Sequence, residues 1–458
     1  MAGKSLLAPL EQLRDLIDAS IATLQKNEEE LRKTPVSLDA LEPHPIHQST
    51  NTDVRKALKT ISSSSQMLRA LTDPQTFLND IFMGVCAPPF PNDKIFFHDG
   101  TALLVCVEAD VANVIGNAEI HIDEIATRTG IESDKLARYM RNLCNSHVFR
   151  EVSPNIFANT SLSGLVREEG KRAHVAHCLD LVRRSSCKAW EALTLPEFKN
   201  SNAPDKTAFN LAYNTDMKIF QYLSEVEPEI GKRTKVAFAS GTKVNTDEFL
   251  GVYPWEKEGN AKIVDVGGGV GGGTMPVIKA FKDLRLVVQD IPDTQPNFER
   301  IWNEEQPDAI KEGRVKFAVH DFFTPQTEEA DIYFMRHVIH DWPDAESVKI
   351  LANTAAKMTS STKLLICEHV VLPSYRLPPN TNSDTGLVKN EFAAPEPLLA
   401  NWGAAHTSRL DLQVLACLNS RQRTQAQYME LLQRAGLEAV HVWRNMGPLV
   451  IIECRKLG

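Results

Sequence analysis

Polar residues at the ends of two neighbouring apolar runs carry the clearest signs of chemistry in this sequence. The run Asp331–Arg336 leads into His340-Asp-Trp-Pro-Asp344, and the run Lys363–Cys367 ends at Glu368. An imidazole titrates near neutral pH and can accept a proton from a hydroxyl group. A neighbouring carboxylate fixes the imidazole tautomer and stabilises the cation that forms. Either residue alone would more often be structural, but polar ends on consecutive strands favour a catalytic pair.

A glycine-rich stretch supplies a second candidate site. Asp265-Val-Gly-Gly-Gly-Val-Gly-Gly-Gly273 follows a short apolar strand and precedes an amphipathic run from Val277 to Leu284. Glycines without Cβ let the backbone approach a ligand closely, and the N–H groups of the following helix can bind it. The same glycines would also serve simply to close a tight turn. A nucleoside ligand is the first hypothesis.

Two further acids narrow the choice of nucleoside. Leu286–Asp290 is a second predicted strand ending in an acid, the position that can hold a ribose diol. This spacing alone does not separate a nicotinamide dinucleotide from S-adenosylmethionine. A third strand, Val315–Val319, is followed by Asp321, and Asp265 stands two residues before the first glycine. This series resembles that of class I methyltransferases, which implies S-adenosylmethionine.

The elements that must position these residues alternate from Ala261 onward. Alternating strands and helices predict a parallel sheet with helices on both faces, and ligands bind at the carboxyl ends of such strands. The predicted strands cover residues 263–266, 286–289, 315–319, 330–336, 363–368, 439–443 and 449–454, and the predicted last helix covers 425–435.

The amino-terminal half is predicted to be mostly helical. An amphipathic helix over residues 5–33 either packs on a partner subunit or covers its own domain, and a proline-bearing linker over 34–53 separates it from a helix over 54–78. Residues 170–240 also have helical periodicity.

Residues 96–166 show a more particular pattern. We predict one helix over 101–115, a second with Asp123 as its N-cap, a third from Ser133, and a hairpin over 148–159. This order is typical of a winged helix. Acidic residues outnumber basic residues between Asn117 and Val166, whereas a DNA reader would be basic. A packing or dimerising module is therefore favoured over DNA binding.

Composition limits the remaining possibilities. The chain has 458 residues and a net charge of -9, enough for two or three domains and without overall attraction to nucleic acid or anionic membrane. It has neither a long apolar run nor a signal-peptide core, so we expect a cytoplasmic protein. Its 8 cysteines form no CxxC pair, which argues against a cysteine zinc site and a disulfide framework.

Residues 96–458 resemble the cation-independent caffeate-type and fungal O-methyltransferases. The resemblance implies an α/β fold, with a Rossmann-like class I methyltransferase domain at 246–458 preceded by an α-helical winged-helix dimerisation domain at 54–245 and a helix and linker at 1–53. It also implies a homodimer acting on a small molecule. The matching motifs are Asp265-Val-Gly-Gly-Gly-Val-Gly, Gln289-Asp-Ile-Pro, His320-Asp-Phe-Phe, Phe334-Met-Arg-His, His340-Asp-Trp-Pro-Asp, Cys367-Glu and Leu418-Asn-Ser-Arg-Gln-Arg-Thr.

The resemblance assigns roles to individual residues. It implies His340 as general base with Glu368 beside it, and S-adenosylmethionine as cofactor without a metal ion. In the family a second acid, from a Glu-Arg-Thr triplet, also flanks the base; here the triplet is Gln422-Arg423-Thr424. The implied cofactor residues are Gly267 and Gly268 at the methionine part, Asp290 at the ribose, Asp321 and Phe322 at the adenine, and Arg336 where plant enzymes commonly have lysine.

Gln422 leaves two functions open. A glutamine can hydrogen-bond an imidazole but adds no charge to stabilise its cation, so the base should be weaker. One hypothesis is methyl transfer to a hydroxyl of a small aromatic or polyketide-type secondary metabolite. The other is a pericyclase that holds S-adenosylmethionine unconsumed while a pyridone alcohol undergoes dehydration, hetero-Diels–Alder or ene cyclisation. Intact His340 and Glu368 argue against a third hypothesis, a silent scaffold.

Overall fold

The chain divides into two compact units that interleave along the sequence. One comprises Met1–Cys187, Tyr222–Gly241 and Ala394–Gly403, and the other Lys188–Gln221, Thr242–Ala393 and Ala404–Gly458. The computed structural model describes residues 7–27, 46, 49–72, 97–242, 249–376, 393–402, 405–444 and 449–458.

Helices account for most of the first unit and flank the sheet of the second. The α-helices are Leu7–Lys26, Thr52–Thr72, Phe97–Glu108, Val111–Ile115, Ile122–Thr129, Ser133–Cys144, Ser161–Leu165, Glu169–His177, Arg183–Ser186, Ala189–Thr194, Ala208–Tyr213, Ile219–Glu225, Pro228–Thr242, Met275–Ala280, Gln295–Glu305, Pro307–Lys311, Asp344–Lys357, Ala405–Leu418 and Gln425–Arg434. Among the described residues, no helix is both long and apolar enough to cross a bilayer.

The first unit contains a three-stranded antiparallel sheet beside its helices. Strands β1 (Ile120–His121), β2 (Phe149–Ser153) and β3 (Ile156–Asn159) lie in the order β1-β3-β2, so the predicted hairpin is present. Phe149 and Phe157 lie in the same buried cluster as the apolar face of helix Ser133–Cys144. A helix pair and a hairpin thus share one core.

Three details of this unit differ from the sequence prediction. The single helix expected over 101–115 is two helices, because Asp110 has a left-handed φ of 52°. Asp123 is not an N-cap: His121 holds that position, and its Nδ1 accepts the N–H of Asp123 at 3.3 Å. Helix Leu7–Lys26 is shorter than the predicted 5–33, and residues 28–33, most of the 34–53 linker and 73–78 lie outside the described residues.

The second unit is built on an eight-stranded mixed sheet. The strands are β4 (Lys262–Val266), β5 (Arg285–Asp290), β6 (Val315–Val319), β7 (Ile332–Arg336), β8 (Lys363–Val371), β9 (Arg423–Thr424), β10 (Leu437–Arg444) and β11 (Leu449–Lys456). They lie in the order β10-β11-β8-β7-β4-β5-β6, and β9 pairs with β8. The prediction of parallel strands is correct for β4 to β8 and wrong for β10 and β11, which pair antiparallel at the edge.

The central strands are buried on both faces, as strands covered by helices must be. Because successive side chains of a strand point to opposite faces, Val264 and Tyr333 enter one apolar cluster while Ile263 and Phe334 enter the other. Parallel pairing brings the carboxyl ends of β4, β5, β6, β7 and β8 to one edge of the sheet. The candidate site lies at that edge.

The last helix of this unit begins with a reciprocal cap that we expect to contribute measurably to stability. Thr424 Oγ1 accepts the N–H of Gln427, and Gln427 Oε1 accepts the N–H of Thr424 at 2.9 Å. Thr424→Ala should lower the free energy of unfolding of the second unit by about 1 kcal/mol in urea titrations. Thr424→Ser, which keeps the hydroxyl, is the control and should lose much less; equal losses for the two variants would contradict the cap.

Candidate active site

The glycine turn after β4 leaves bare backbone at the carboxyl edge of the sheet. Gly267, Gly269 and Gly271 have φ of 68°, 59° and 74°, in the left-handed region that favours glycine. A Cβ on Gly271 would lie 2.9 Å from Val288 Cγ2, so this part of the turn packs directly on β5.

Gly268 is required by a buried acid rather than by its backbone angles. A Cβ on Gly268 would lie 2.6 Å from Asp265 Oδ2, the same oxygen that accepts the hydroxyl of Thr274 at 2.7 Å. Burial raises the pKa of Asp265 to about 7, although Thr274 and Arg336 act in the opposite direction. Asp265 therefore ties the end of β4 to the start of the next helix, with Gly268 against it.

Asp290 joins the glycine turn to the end of β5. Its Oδ2 accepts the N–H of Gly269 at 2.8 Å, and its Oδ1 accepts the N–H of Ile291 at 2.8 Å and the hydroxyl of Thr294 at 3.1 Å. The acid predicted for the ribose is thus held beside the turn.

Two residues predicted at the adenine take different positions. Phe322 Cε1 lies 3.2 Å from where a Cβ of Gly267 would be, so this ring borders the turn. Its ring centroid is 5.9 Å from that of Trp342 in an edge-on contact. Asp321 is exposed, and its Oδ1 accepts the N–H of Phe323 at 2.9 Å within its own loop.

Arg336 reaches the other end of the glycine stretch. Its Cδ lies 3.1 Å from where a Cβ of Gly273 would be, and its guanidinium carbon is 4.9 Å from the centre of the Phe249 ring. Its Nε is buried and has no hydrogen-bond partner among the described residues. One turn therefore brings the predicted cofactor residues together: it contains Gly267 and Gly268 and is bordered by Asp290, Phe322 and Arg336.

His340 lies on a short 3-10 turn, Ile339–Asp341, directly beside Glu368. The Glu368 side chain is fully buried, and its Oε1 accepts backbone N–H groups from Val338 at 3.1 Å, Ile339 at 2.9 Å and His340 at 3.3 Å. Its Oε2 lies 3.7 Å from His340 Nδ1. The structure therefore brings the predicted catalytic pair together and orders the turn through the same carboxylate.

Gln422 also reaches His340. Its Nε2 lies 2.7 Å from His340 Nδ1, and both side chains are buried. With this amide orientation the neutral imidazole carries its proton on Nε2. A half-turn of the amide would present Oε1, now buried and without a partner among the described residues, to an Nδ1 proton and leave Nε2 free to accept.

A sequence model of the O-methyltransferase domain matches residues 194–389. The "3-O-methyltransferase 2" of Phanerochaete chrysosporium is 32% identical over 79% of this chain and 80% of its own length. The "O-methyltransferase tpcA" of Aspergillus fumigatus is 32% identical over 78% of this chain and 80% of its own length. The chain belongs to the S-adenosylmethionine-dependent O-methyltransferases. S-adenosylmethionine is its cofactor, and these relatives span both units.

Solved structures agree on the fold of this O-methyltransferase. A structure described as "A Pericyclic Reaction enzyme" covers 90% of this chain and 96% of its own, at 19% identity and a TM-score of 0.71. OxaC in complex with SAH and oxaline covers 98% of this chain and 100% of its own, at 22% identity and a TM-score of 0.69. At such identities the likeness concerns the fold alone.

The charges around His340 favour its protonated form. Burial lowers the pKa of His340, but Glu368 and Asp341 outweigh this effect and the net pKa is raised above the usual 6.5. Burial raises the pKa of Glu368, yet His340, His337 and the backbone donors bring it below its usual range. Glu368 is therefore charged where the imidazolium would need it.

The sequence prediction gave no role to Asp341 or Arg423, and the structure also places His337 beside Glu368. Asp341 Oδ1 lies 3.4 Å from His340 Nε2, and burial raises the pKa of Asp341 to about 6. His337 Nδ1 lies 3.7 Å from Glu368 Oε2. Arg423 is fully buried and donates to the carbonyl groups of Ile339 at 2.8 Å and Trp342 at 2.9 Å and to the Asp344 carboxylate at 2.7 Å. Their positions within matched motifs were the available signals.

The contact between Gly268 and Asp265 yields a prediction about cofactor binding. In Gly268→Ala the new methyl group would displace the Asp265 carboxylate from Thr274, so the affinity for S-adenosylmethionine measured by calorimetry should fall at least about tenfold, or about 1.4 kcal/mol. Gly313→Ala is the control, because Gly313 has a φ of 68° but nothing within 4 Å of a Cβ. It should cost stability and leave affinity unchanged; unaltered affinity in Gly268→Ala would contradict the argument.

Proposed function

We propose that this enzyme transfers a methyl group from S-adenosylmethionine to a hydroxyl of a small aromatic or polyketide-type secondary metabolite, with His340 as general base. The observation that carries the proposal is the buried Glu368 carboxylate, which orders the His340 turn with one oxygen and faces the imidazole with the other. The glycine turn opens at the same edge of the sheet, one strand away.

The residues around the glycine turn fit the cofactor. A side chain at Gly267 would meet Phe322 and one at Gly268 would meet Asp265, so their backbone stays bare for a close ligand. We assign Gly267 and Gly268 to its methionine part. Asp290 is assigned to the ribose, Asp321 and Phe322 to the adenine, and Arg336 completes the set. When bound, the cofactor supplies an electrophilic methyl group on a positively charged sulfur.

The protein's part in the reaction is to align the acceptor hydroxyl and receive its proton. A phenol has a pKa of about 10 and a histidine about 6.5, so the site must offset roughly 3.5 units, or about 5 kcal/mol. With the Gln422 amide turned so that its Oε1 accepts the Nδ1 proton, His340 Nε2 is free to take the hydroxyl proton, and the charge on Glu368 stabilises the imidazolium. Gln422 fixes the ring through Nδ1 but adds no charge.

A pericyclase is the second candidate function. Gln422 favours it, because a neutral amide in place of an acid gives less stabilisation to an imidazolium, and a pericyclic reaction does not require one. His337 and Arg336 stand on the same segment as His340 and would act with it as hydrogen-bond or charge donors to a substrate carbonyl. The mass of the product separates the two functions. Methyl transfer adds one methyl group, whereas the pericyclase reaction gives a product that has lost water or kept its mass and leaves the cofactor unconsumed.

We further propose that residues 54–245 form a winged-helix dimerisation domain, preceded by a helix and linker over residues 1–53 and followed by the S-adenosylmethionine-binding domain over residues 246–458. Support comes from the helix pair and hairpin of the first unit, and from helix Leu7–Lys26, which exposes Leu7 at 66% and Ile21 at 43%. Sedimentation of the full chain tests the dimer.

The pKa of His340 sets the pH dependence of methyl transfer. A base must be unprotonated, and the pKa of His340 is raised, so kcat/KM should fall as the pH drops through a value above 6.5. In His340→Ala the rate of S-adenosylhomocysteine formation should fall about 100-fold or more, and the decrease of kcat/KM at low pH should disappear. The variant should still bind the cofactor. His441→Ala, on the outer strand, is the control; turnover that survives in His340→Ala would exclude the general-base proposal.

Restoring the family acid provides an independent test. Gln422→Glu places a carboxylate beside His340 Nδ1, which should raise the pKa of His340 and speed methyl transfer about threefold to tenfold above the pH limb. Gln422→Ala, which removes the hydrogen bond without adding charge, should slow it. If Gln422→Glu leaves methyl transfer absent or slower while a cyclised or dehydrated product forms, the pericyclase is favoured instead.

A further inference from the structure

Three side chains at the proposed base converge on one small volume. The Nδ1 atoms of His337 and His340 each lie 3.7 Å from Glu368 Oε2, and one ligand atom from each of the three residues lies within 4.8 Å of the other two. His337 Nδ1 and Glu368 Oε2 are buried and have no hydrogen-bond partner among the described residues. Methyl transfer uses His340 and Glu368 but gives His337 no task.

Two imidazole nitrogens and one carboxylate oxygen are a ligand set typical of zinc. Zinc binds such atoms at 2.0–2.2 Å, so neighbouring ligand atoms in a tetrahedral site are about 3.4 Å apart. The two observed distances of 3.7 Å to the carboxylate oxygen need only a small contraction, and the ligand atoms of the two histidines lie within 4.8 Å of each other. Magnesium and calcium prefer oxygen ligands, so the nitrogens select a zinc-class ion.

We propose that His337, His340 and Glu368 bind a zinc-class divalent ion that inhibits this enzyme. No cysteine takes part, so the site differs from the cysteine type that the sequence argues against. The inhibitory part rests on the proposed function of His340, whereas the binding part does not. An inhibitory ion is compatible with catalysis that needs no cation.

The geometry explains why the ion would inhibit. Zinc on His340 Nδ1 requires the neutral imidazole to carry its proton on Nε2, the nitrogen that must accept the substrate proton. The ion also occupies the free oxygen of Glu368, which then no longer stabilises an imidazolium. Gln422 Nε2 has to leave Nδ1 for the ion to bind, and this lost hydrogen bond limits the affinity.

Zinc binding and methyl transfer are measured on the same chelator-treated, full-length enzyme. Competition with a chromophoric chelator should give one high-affinity ion per chain, and S-adenosylhomocysteine formation should fall as that site fills and return with excess EDTA. Cobalt in place of zinc should give visible bands of a nitrogen- and oxygen-bound ion without a thiolate band. A thiolate band would overturn the assignment.

Variants assign the site to these residues. His337→Gln should weaken zinc binding and zinc inhibition at least tenfold. His406→Gln is the control and should change neither, because the His406 ring lies 5.3 Å from that of His369 in a tilted contact and is not part of the cluster. Gln422→Glu should tighten binding by adding a carboxylate beside Nδ1, and it provides a second test should His337→Gln fail to fold. Equal zinc affinity in all three variants overturns the site.

Three outcomes separate this proposal from the proposed function. Zinc that binds through His337 but leaves the rate unchanged overturns the inhibition. If the His340→Ala variant retains turnover, the general-base role of His340 is overturned. This rate is measured on zinc-free enzyme, so it does not depend on the zinc site. Absence of high-affinity binding overturns the site while leaving the base untouched.

Discussion

The carboxylate of Glu368, fully buried at the carboxyl edge of the sheet, is the interaction on which the candidate site depends. Burying a charge costs several kcal/mol unless it is paired and hydrogen-bonded. Here three consecutive backbone N–H groups, from Val338, Ile339 and His340, point at one oxygen. Without Glu368 these donors would lie buried and unsatisfied, so the carboxylate is required for the turn as well as for its electrostatics.

Strand order places this carboxylate where chemistry can use it. β7 and β8 pair in parallel with Arg336 opposite Cys367, so Glu368 follows directly beside the segment that carries His340. β4 lies on the other side of β7, which puts the glycine turn one strand from the imidazole. Arg423, which is fully buried, stabilises the His340 loop by donating hydrogen bonds to the carbonyl groups of Ile339 and Trp342. The pairing of β7 with β4 and β8 therefore fixes the positions of both the glycine turn and His340.

The sequence predicted the parts of this arrangement that follow from local pattern. The apolar strands β4 to β8 have their predicted positions to within a few residues, because strands buried on both faces read as continuous apolar runs. Their polar ends had to meet at one edge once the sheet was parallel, which explains why His340, Glu368 and the glycines were found.

What escaped prediction depends on geometry that no local pattern contains. The antiparallel pairing of β10 and β11 follows from the short spacing between Arg444 and Leu449, which leaves no room for the crossover that parallel strands need, rather than from strand composition. Asp110 interrupts the helix through its left-handed backbone, although the nearby Glu108, Ala109 and Ala112 are good helix formers. The direction in which Asp341 and His337 point follows from a turn whose shape is set by Glu368, a residue far along the chain.

The most direct test of this account is the pKa and tautomer of His340, measured by nitrogen-15 NMR of histidine-labelled enzyme and compared with Glu368→Gln. His340 should titrate above 6.5 in the native enzyme and at a clearly lower pH in Glu368→Gln, because burial opposes the imidazolium. A His340 that titrates below 6.5, or whose pKa does not change in Glu368→Gln, would contradict the claim that this buried carboxylate makes the imidazole a base.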